Sequence, residues 1–323
     1  MDITKKICAG DVRSASRLIR DLEDKKPQAR PRIKKLFPYT GKSFIIGITG
    51  SPGAGKSTLT NALIGEFRKH RKTVGVLAVD PTSPFSGGAI LGDRVRMLGH
   101  AEDENVFIRS LATRGALGGL SLAVGDAIHV MEAMGKDVII VETVGIGQQE
   151  LDIMHHAHSV VVVLVPGMGD EIQAMKAGIM EIADVFAVNK ADRPGAEQLQ
   201  TELTSLLNAS PLPSGAWRPP IVSIGNLYEL ERFAEKTAEL MQAISDHHEH
   251  LLISGQLSER MERKALMEIT EAIRAALLEP VMGKLIASGE LKRIAQRIKN
   301  RKADPYTEAE AIAHRFLKPG DHP

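Results

Sequence analysis

The sequence predicts an α/β fold: a mostly parallel sheet covered by helices on both faces, with short helices before it and long ones after. Three observations carry this. Apolar, β-branched runs recur between Ser43 and Ile224 with helix-like segments between them. Strands buried on both faces read as continuous apolar runs, and their alternation with helices marks a parallel sheet. The first run leads straight into a glycine-rich loop, Gly50-Ser51-Pro52-Gly53-Ala54-Gly55-Lys56-Ser57-Thr58, and a helical pattern follows it. Beyond about Leu227 strand-like runs stop and helical patterning continues almost to the end.

Taken in order, residues 1–42 read as an N-terminal helical extension. From Asp11 to Lys42 the segment is basic and locally amphipathic, with Val12, Leu18, Ile19 and Leu22 among Arg13, Arg17 and Arg20. One or two short helices ending at Pro27, Pro31 and Pro38 fit this pattern. The arginines read as an exposed helix face, with an acidic partner as the alternative.

Residues 43–248 read as the sheet domain. Strand-like runs fall at 43–48, 74–79, 106–108, 138–141, 159–165, 184–188 and 221–224, with helical patterns such as Leu120 to Met134 and Glu171 to Glu181 between them. Ligands of such sheets sit at the carboxyl ends of the strands. Residues 249–323 read as a C-terminal helical arm. From Leu251 onward Leu257, Met261, Ala265, Ile269, Ile273 and Leu277 recur at three- and four-residue steps, which predicts one amphipathic helix over 251–279, ended by Pro280. That stripe packs either on its own domain or on a second subunit. The run Lys292 to Lys302 reads as a solvated basic face.

Composition narrows the class. With 43% hydrophobic and 25% charged residues the chain is of ordinary globular type, and a net charge of +1 gives no argument for nucleic acid or membrane binding. The one cysteine, Cys8, rules out a disulfide framework or a cysteine metal cluster and fits a reducing cytoplasm. Met1 to Asp11 has two lysines and no apolar run of the signal-peptide kind, and no run is long enough to span a bilayer.

Residues 50–58 satisfy G-x-x-x-x-G-K-[ST] between a strand and a helix, the context a phosphate loop requires. Its glycines let backbone N–H groups turn toward a polyphosphate, and the helix dipole adds positive potential. Lys56 is expected at the β- and γ-phosphates and the Ser57 hydroxyl on Mg²⁺. Asn189-Lys190-Ala191-Asp192 follows its own strand about 130 residues later. A carboxylate at Asp192 accepts from N1–H and the exocyclic amine of guanine, a donor pair adenine lacks. GTP is therefore the expected nucleotide, with Lys190 along the base and Asn189 tying loops together. Ser223-Ile224-Gly225 is expected to close over the base beyond its strand.

The run 137–141 ends in Glu142, with Gly145 three residues on. An acid there faces the γ-phosphate and Mg²⁺. Small GTPases place Asp in this D-x-x-G motif, and the longer Glu142 favours an outer-shell or water-ordering role. Gly145 is expected to offer its N–H to the γ-phosphate and to begin a switch loop. Gln148 and Gln149 do not directly follow Gly145, so the Ras-like water-orienting glutamine has no counterpart. Asp80 ends the second strand and Asp93 lies in a Gly-rich segment, a pair suited to a hydrated Mg²⁺. Arg94, Arg109 and Arg114 are candidates for transition-state charge or plain surface charges. His155, His156 and His158, and likewise His247, His248 and His250, cluster in sequence, but adjacent helix positions point to different faces, which is poor metal-ligand geometry.

Residues 50–58, the segment Val79 to Arg94 with its Asp-Pro-Thr-Ser-Pro-Phe-Ser-Gly-Gly core, Arg109 to Gly115 and Val141 to Gln148 resemble the MeaB/ArgK-type P-loop GTPases. Those are metallochaperones of adenosylcobalamin-dependent acyl-CoA mutases. The resemblance covers roughly residues 40 to 230. It implies a homodimer held by the C-terminal arm, a slow Mg²⁺-dependent GTPase stimulated by a mutase, and nucleotide-gated delivery and protection of adenosylcobalamin carried by the mutase itself. A cobalamin adenosyltransferase is a further implied partner. By the same resemblance Lys56 and Ser57 serve phosphate and metal, Asp80, Asp93 and Glu142 surround Mg²⁺, and Asp192 reads guanine.

Two departures stand out. The family's Ser-Ala base-closing loop is here Ser223-Ile224-Gly225, shortened, and His158 stands where the family usually has an acid. They point to a client other than methylmalonyl-CoA mutase, such as a 2-hydroxyisobutyryl-CoA or isobutyryl-CoA mutase. The competing readings are a GTPase for nickel-centre assembly, which would want a His-rich tract or Cys/His site, and a non-catalytic nucleotide-sensing dimer.

Overall fold

The computed structural model describes residues 2–80, 98–100, 102–112, 119–143, 154–167, 182–209, 215–225 and 229–316. Contacts divide the chain into two units, 1–265 and 266–323. In the first, helices α1 (Ile3–Cys8), α2 (Val12–Glu23) and α3 (Ala29–Leu36) precede the sheet. Asp11 caps α2, its Oδ1 accepting from Ser14 N–H at 2.7 Å. Between Asp11 and Lys42 the two helices α2 and α3 match the expected one or two, and α1 precedes that segment. Pro31 does not end a helix but sits in the first turn of α3, where its missing N–H forfeits no helical hydrogen bond.

The sheet has strands β1 (Phe44–Gly50), β2 (Val74–Asp80), β3 (Val106–Ala112), β4 (Val138–Thr143), β5 (Ser159–Leu164), β6 (Val185–Asn189) and β7 (Ile221–Ile224). Their order is β3-β2-β4-β1-β5-β6-β7, and every pair is parallel. The remaining helices of this unit include α4 (Lys56–Lys69), α5 (Gly119–Ala133), α6 (Ala196–Ala209) and α7 (Leu230–Ser254).

Period-two alternation along the strands divides the apolar residues between two cores. Ile45, Ile139, Val141, Val160 and Val162 face one core with Leu18, Ile19, Ile33, Ile128, Met131 and Leu199 of the helices. Ile46, Ile48, Ile140, Val161 and Val163 face the other with Leu59, Leu63, Ile64, Phe67, Leu240 and Ile244. The N-terminal helices are therefore part of the sheet's packing, burying Leu18, Ile19 and Leu22 of the apolar stripe and leaving Val12 exposed. With both faces covered, function is confined to the strand ends.

The amino-terminal ends of β5 and β6 hold a polar network. Arg260, from helix α8 (Gln256–Ala287), donates to both carboxylate oxygens of Asp184 at 2.7 and 2.8 Å and to the His158 carbonyl at 2.7 Å. Asp184 also accepts from Val160 N–H at 2.8 Å, while its carbonyl takes the Trp217 Nε1–H at 2.7 Å. Buried His247 lies 2.7 Å from Ser159 Oγ through Nδ1 and 3.2 Å from Asp184 through Nε2. His158 Nδ1 accepts from Ile45 N–H at 3.3 Å, and the rings of Phe44, His158 and His248 form a near-parallel cluster in which Phe44 stacks on His248 at 4.0 Å. His158, His247 and His248 thus act as packing and hydrogen-bonding groups of the sheet's lower edge. Burial pushes the Asp184 carboxyl up, but the hydrogen bonds from Arg260 and His247 outweigh it and hold the group below its ordinary range.

Two expectations about the C-terminal helices are corrected. The helix read from Leu251 to Glu279 is broken at Gly255, whose φ of 76° closes α7 in the left-handed conformation. Pro280 lies inside α8 instead of ending it, because one forfeited bond to the Ala276 carbonyl does not stop a helix of 32 residues. In the second unit, α9 (Glu290–Lys299) and α10 (Pro305–Phe316) are joined by Arg315 to Glu290 at 2.9 Å and Arg297 to Glu308 at 2.9 Å. Among the described residues no helix is long and apolar enough to cross a membrane.

Candidate nucleotide site

Central strand β1 delivers the glycine loop to the carboxyl edge of the sheet. Gly50 has φ 147°, and a Cβ there would lie 2.2 Å from the Val163 carbonyl oxygen, so only glycine passes this close to β5. Gly55, at φ 91°, ends the loop and caps α4 with no side chain, leaving the first-turn N–H groups of α4 facing outward. This is the backbone arrangement an anion requires.

Lys56 is 6% exposed, and its Nζ donates to the Gly50 and Ser51 carbonyls at 2.6 and 2.8 Å, which holds the ammonium across the loop. Ser57 Oγ donates to Glu142 Oε1 at 2.6 Å. Glu142 is 3% exposed at the end of β4, and its other oxygen accepts from Thr60 Oγ1 at 2.8 Å. Beside it Thr143 Oγ1 donates to Thr49 Oγ1 at 3.0 Å, joining the ends of β4 and β1. Buried oxygen donors converging beside a helix N-terminus suit a small hard cation such as Mg²⁺.

The base-side motif meets the same loop from the other direction. Asn189 Nδ2 donates to the Ala54 carbonyl at 2.7 Å, which ties the end of β6 to the phosphate loop as the sequence suggested. A Cβ on Gly55 would fall 2.3 Å from that amide nitrogen, so a glycine here makes room for Asn189. Lys190 Nζ donates to the Gly53 carbonyl at 2.8 Å, and Asp192 is exposed just beyond. Ala191 N–H donates to the Ile224 carbonyl at 2.9 Å, joining this motif to β7.

Some expectations change. Ser223 and Ile224 belong to β7 itself and not to a loop past it; Ser223 Oγ donates to Gln200 Oε1 at 3.3 Å, and only Gly225 follows the strand. Parallel pairing with β6 extends to Asn189 opposite Ile224, which draws both residues into the ladder. Arg109 lies along β3 and pairs with Glu23 of α2, so its charge is spent against the helix layer. Asp80 ends β2 at the same edge as Glu142. Asp93, Gly145, Arg94, Arg114, Gln148, Gln149 and the pattern Glu171 to Glu181 lie outside the described residues. Thr60 was missed. Its signal was its place three residues after Ser57, on the same helix face.

A wholly parallel sheet, a phosphate loop on its central strand and an Asn-Lys-x-Asp motif tied to that loop together define a P-loop GTPase, an enzyme that binds guanine nucleotide. A family model described as methylmalonyl Co-A mutase-associated GTPase MeaB matches residues 15–285, and the chain belongs to this family. A protein of Pyrococcus abyssi named as a GTPase is 45% identical over 324 residues, covering 99% of this chain and 97% of its own. GTPase ArgK of Escherichia coli is 33% identical over 286 residues, covering 85% of this chain and 82% of its own. A crystal structure of a LAO/AO transport system kinase superposes with a TM-score of 0.70 over 98% of this chain and 97% of its own at 23% identity, a similarity of fold.

Proposed function

We propose that this GTPase is a Mg²⁺-dependent G-protein chaperone of an adenosylcobalamin-dependent acyl-CoA mutase. In this reading it is cytoplasmic and homodimeric, gates delivery of the cofactor carried by the mutase, and protects the mutase from inactivation. The observation that carries the reading is the match to a mutase-associated GTPase family over residues 15–285.

The chemistry assigned to the chain's own residues is positional. The loop 50–58 cradles the phosphates with backbone N–H groups, Lys56 offsets charge on the β- and γ-phosphates, and the helix dipole of α4 adds to it. Asn189 and Lys190 brace that loop while Asp192 accepts from the guanine edge, and Ser223, Ile224 and Gly225 flank it. Ser57 and Glu142 are the described groups that would hold Mg²⁺, with Asp80 and Asp93 completing the set. The metal would supply charge neutralisation and alignment of the phosphates. Gly145 is assigned the γ-phosphate contact that begins the switch.

Methylmalonyl-CoA, 2-hydroxyisobutyryl-CoA and isobutyryl-CoA mutases are the candidate clients, with a cobalamin adenosyltransferase as a second partner. Hydrolysis of GTP and ATP is measured side by side, with and without each purified mutase. GTP-selective turnover raised by one mutase is the expected result. Slow GTP turnover that no mutase alters would remove the chaperone role and leave the GTPase.

A further inference from the structure

Helical threonines ordinarily return their hydroxyl to the carbonyl four residues back. Thr201, Thr204, Thr237 and Thr270 do so here, donating to Glu197, Gln200, Phe233 and Leu266 at 2.7–2.8 Å. Thr60 departs from them. It is wholly buried in α4, and its hydroxyl is directed instead to Glu142 Oε2 at 2.8 Å, across to the end of β4. With Ser57 on the other oxygen at 2.6 Å, both oxygens of one buried carboxylate are held by hydroxyls a single helical turn apart.

A carboxylate at the end of β4 has to reach across to α4. Glutamate spans the gap but carries an additional rotatable bond, which makes a donor on each of its oxygens an effective hold on its plane. Ser57 has one proton to donate and two lone pairs. When that proton is given to Glu142, Ser57 meets a cation through oxygen lone pairs and not through its proton, which is the polarity a metal ligand needs. Thr60 has no role at the phosphate loop, yet it determines how Glu142 presents itself to Ser57.

We propose that Thr60 is a positioning residue for the divalent cation. It clamps Glu142 so that the glutamate orients Ser57 and the outer hydration of Mg²⁺. This inference rests on the assignment of Ser57 and Glu142 to the metal. Groups that orient metal ligands typically alter metal affinity by about 10–100-fold when lost.

The test compares wild type, Thr60→Val, which keeps the shape and loses the hydroxyl, and Thr60→Ser, which restores it. The readout is the Mg²⁺ concentration giving half of the thermal upshift of the GDP-bound protein, with release of a fluorescent GDP analogue followed against Mg²⁺ in parallel. We expect Thr60→Val to need about tenfold more Mg²⁺ and Thr60→Ser to lie close to wild type. A half-saturating concentration within about twofold of wild type in Thr60→Val would overturn the proposal, even with a lowered melting temperature, because a packing role alone would give that result. If Thr60→Val folds poorly, Thr60→Cys has a weak donor of similar size and makes the same comparison. Lys56→Ala and Glu142→Gln serve as controls. If both turn over GTP like wild type, the site assignment itself fails, a result distinct from a silent Thr60.

Discussion

Asp192 is exposed at the end of the Asn-Lys-x-Asp motif and is the carboxylate proposed to meet the edge of guanine. Its two acceptors match the two donors of guanine. An amide in its place offers one donor and one acceptor, which suits the C2 carbonyl of xanthine. Asp192→Asn should therefore weaken GTP binding at least about tenfold and improve binding of XTP, read by competition against a fluorescent guanine nucleotide; a site built to hydrogen-bond a group discriminates strongly against its absence. Unchanged GTP affinity would remove Asp192 from the base site. His158 is the second residue whose chemistry stands out. Burial, and then the charges of Lys264 and His248, push it from 6.5 down to about 3, while Glu132 opposes and Arg260 adds to the fall. The folded value lies below the unfolded one, so the contribution is present above pH 6.5 and is lost as pH falls toward 3. Between pH 7 and pH 5 that amounts to about 2 kcal/mol. His158→Asn keeps an acceptor for Ile45 N–H and does not titrate, so urea unfolding at the two pH values should show a shallower loss than wild type. An equal loss would assign the pH dependence elsewhere; His248, also lowered by burial, would be the next candidate. The sequence made His158 visible only as a departure from a pattern, because a neutral buried histidine is defined by what surrounds it and not by its neighbours in the chain. Asn189 was legible for the opposite reason: its role is set by a motif whose spacing fixes the loop it must reach.

At the scale of elements, the strands were legible almost throughout, since each carries a run of β-branched residues long enough to be buried on both faces. What the motif reading missed was where pairing stops. The run 221–224 coincides with β7, and the ladder that reaches Asn189 keeps Ser223 and Ile224 in the strand, where the base-closing assignment had put them beyond it. The helix ends were obscured in the same way. Pro280 signals a stop locally, but the helix around it is long enough to continue, and Gly255 ends α7 through a φ value that composition does not display. The attachment of α8 to the sheet is a tertiary event without any sequence signal. Arg260 reaches Asp184, which is 76 residues away in the chain, and the carboxylate is 8% exposed. Removing one member of a buried ion pair leaves an uncompensated charge and costs about 3–5 kcal/mol, whereas removing both is often close to neutral. Arg260→Met should thus destabilise the first unit by about 3 kcal/mol, and adding Asp184→Asn should recover part of it, since the amide still accepts from Val160 N–H. A double-mutant cycle by urea unfolding checks this. If the two losses simply add, the pair is not coupled.

For the whole molecule, the exposed stripe of α8 matters most. Leu266, Ile269, Ile273 and Leu277 are spaced by three, four and four residues, and each is more than half exposed in the single chain at 59, 53, 51 and 56%. Four large apolar side chains on one helical line make a contiguous patch of a kind that monomeric proteins seldom leave in water. The sequence displayed Ile269, Ile273 and Leu277 in its stripe, with Ala265 before them where the structure adds exposed Leu266, and it left open what covers them, because periodicity identifies a buried face without naming the partner. Charge provides little guidance, since the chain as a whole carries only +1. A second copy is the proposed partner, as an isologous contact lets the same stripe serve both sides. Replacing Leu266 and Ile273 with Glu places two carboxylates seven residues apart on that line while retaining good helix formers. Each buried apolar side chain contributes roughly 1.5–3 kcal/mol, counted once per protomer, so the double variant loses the equivalent of several orders of magnitude in dimer affinity. Sedimentation velocity at micromolar concentration should then show a dimer for wild type and a monomer for Leu266→Glu/Ile273→Glu. Guanine nucleotide affinity should be unchanged, because neither residue belongs to the phosphate loop or the Asn-Lys-x-Asp motif. A variant that remains dimeric would show that the stripe is not the dimer contact. A monomer that also failed to bind GTP would show that the site depends on assembly, which would make nucleotide occupancy and self-association two readings of one equilibrium.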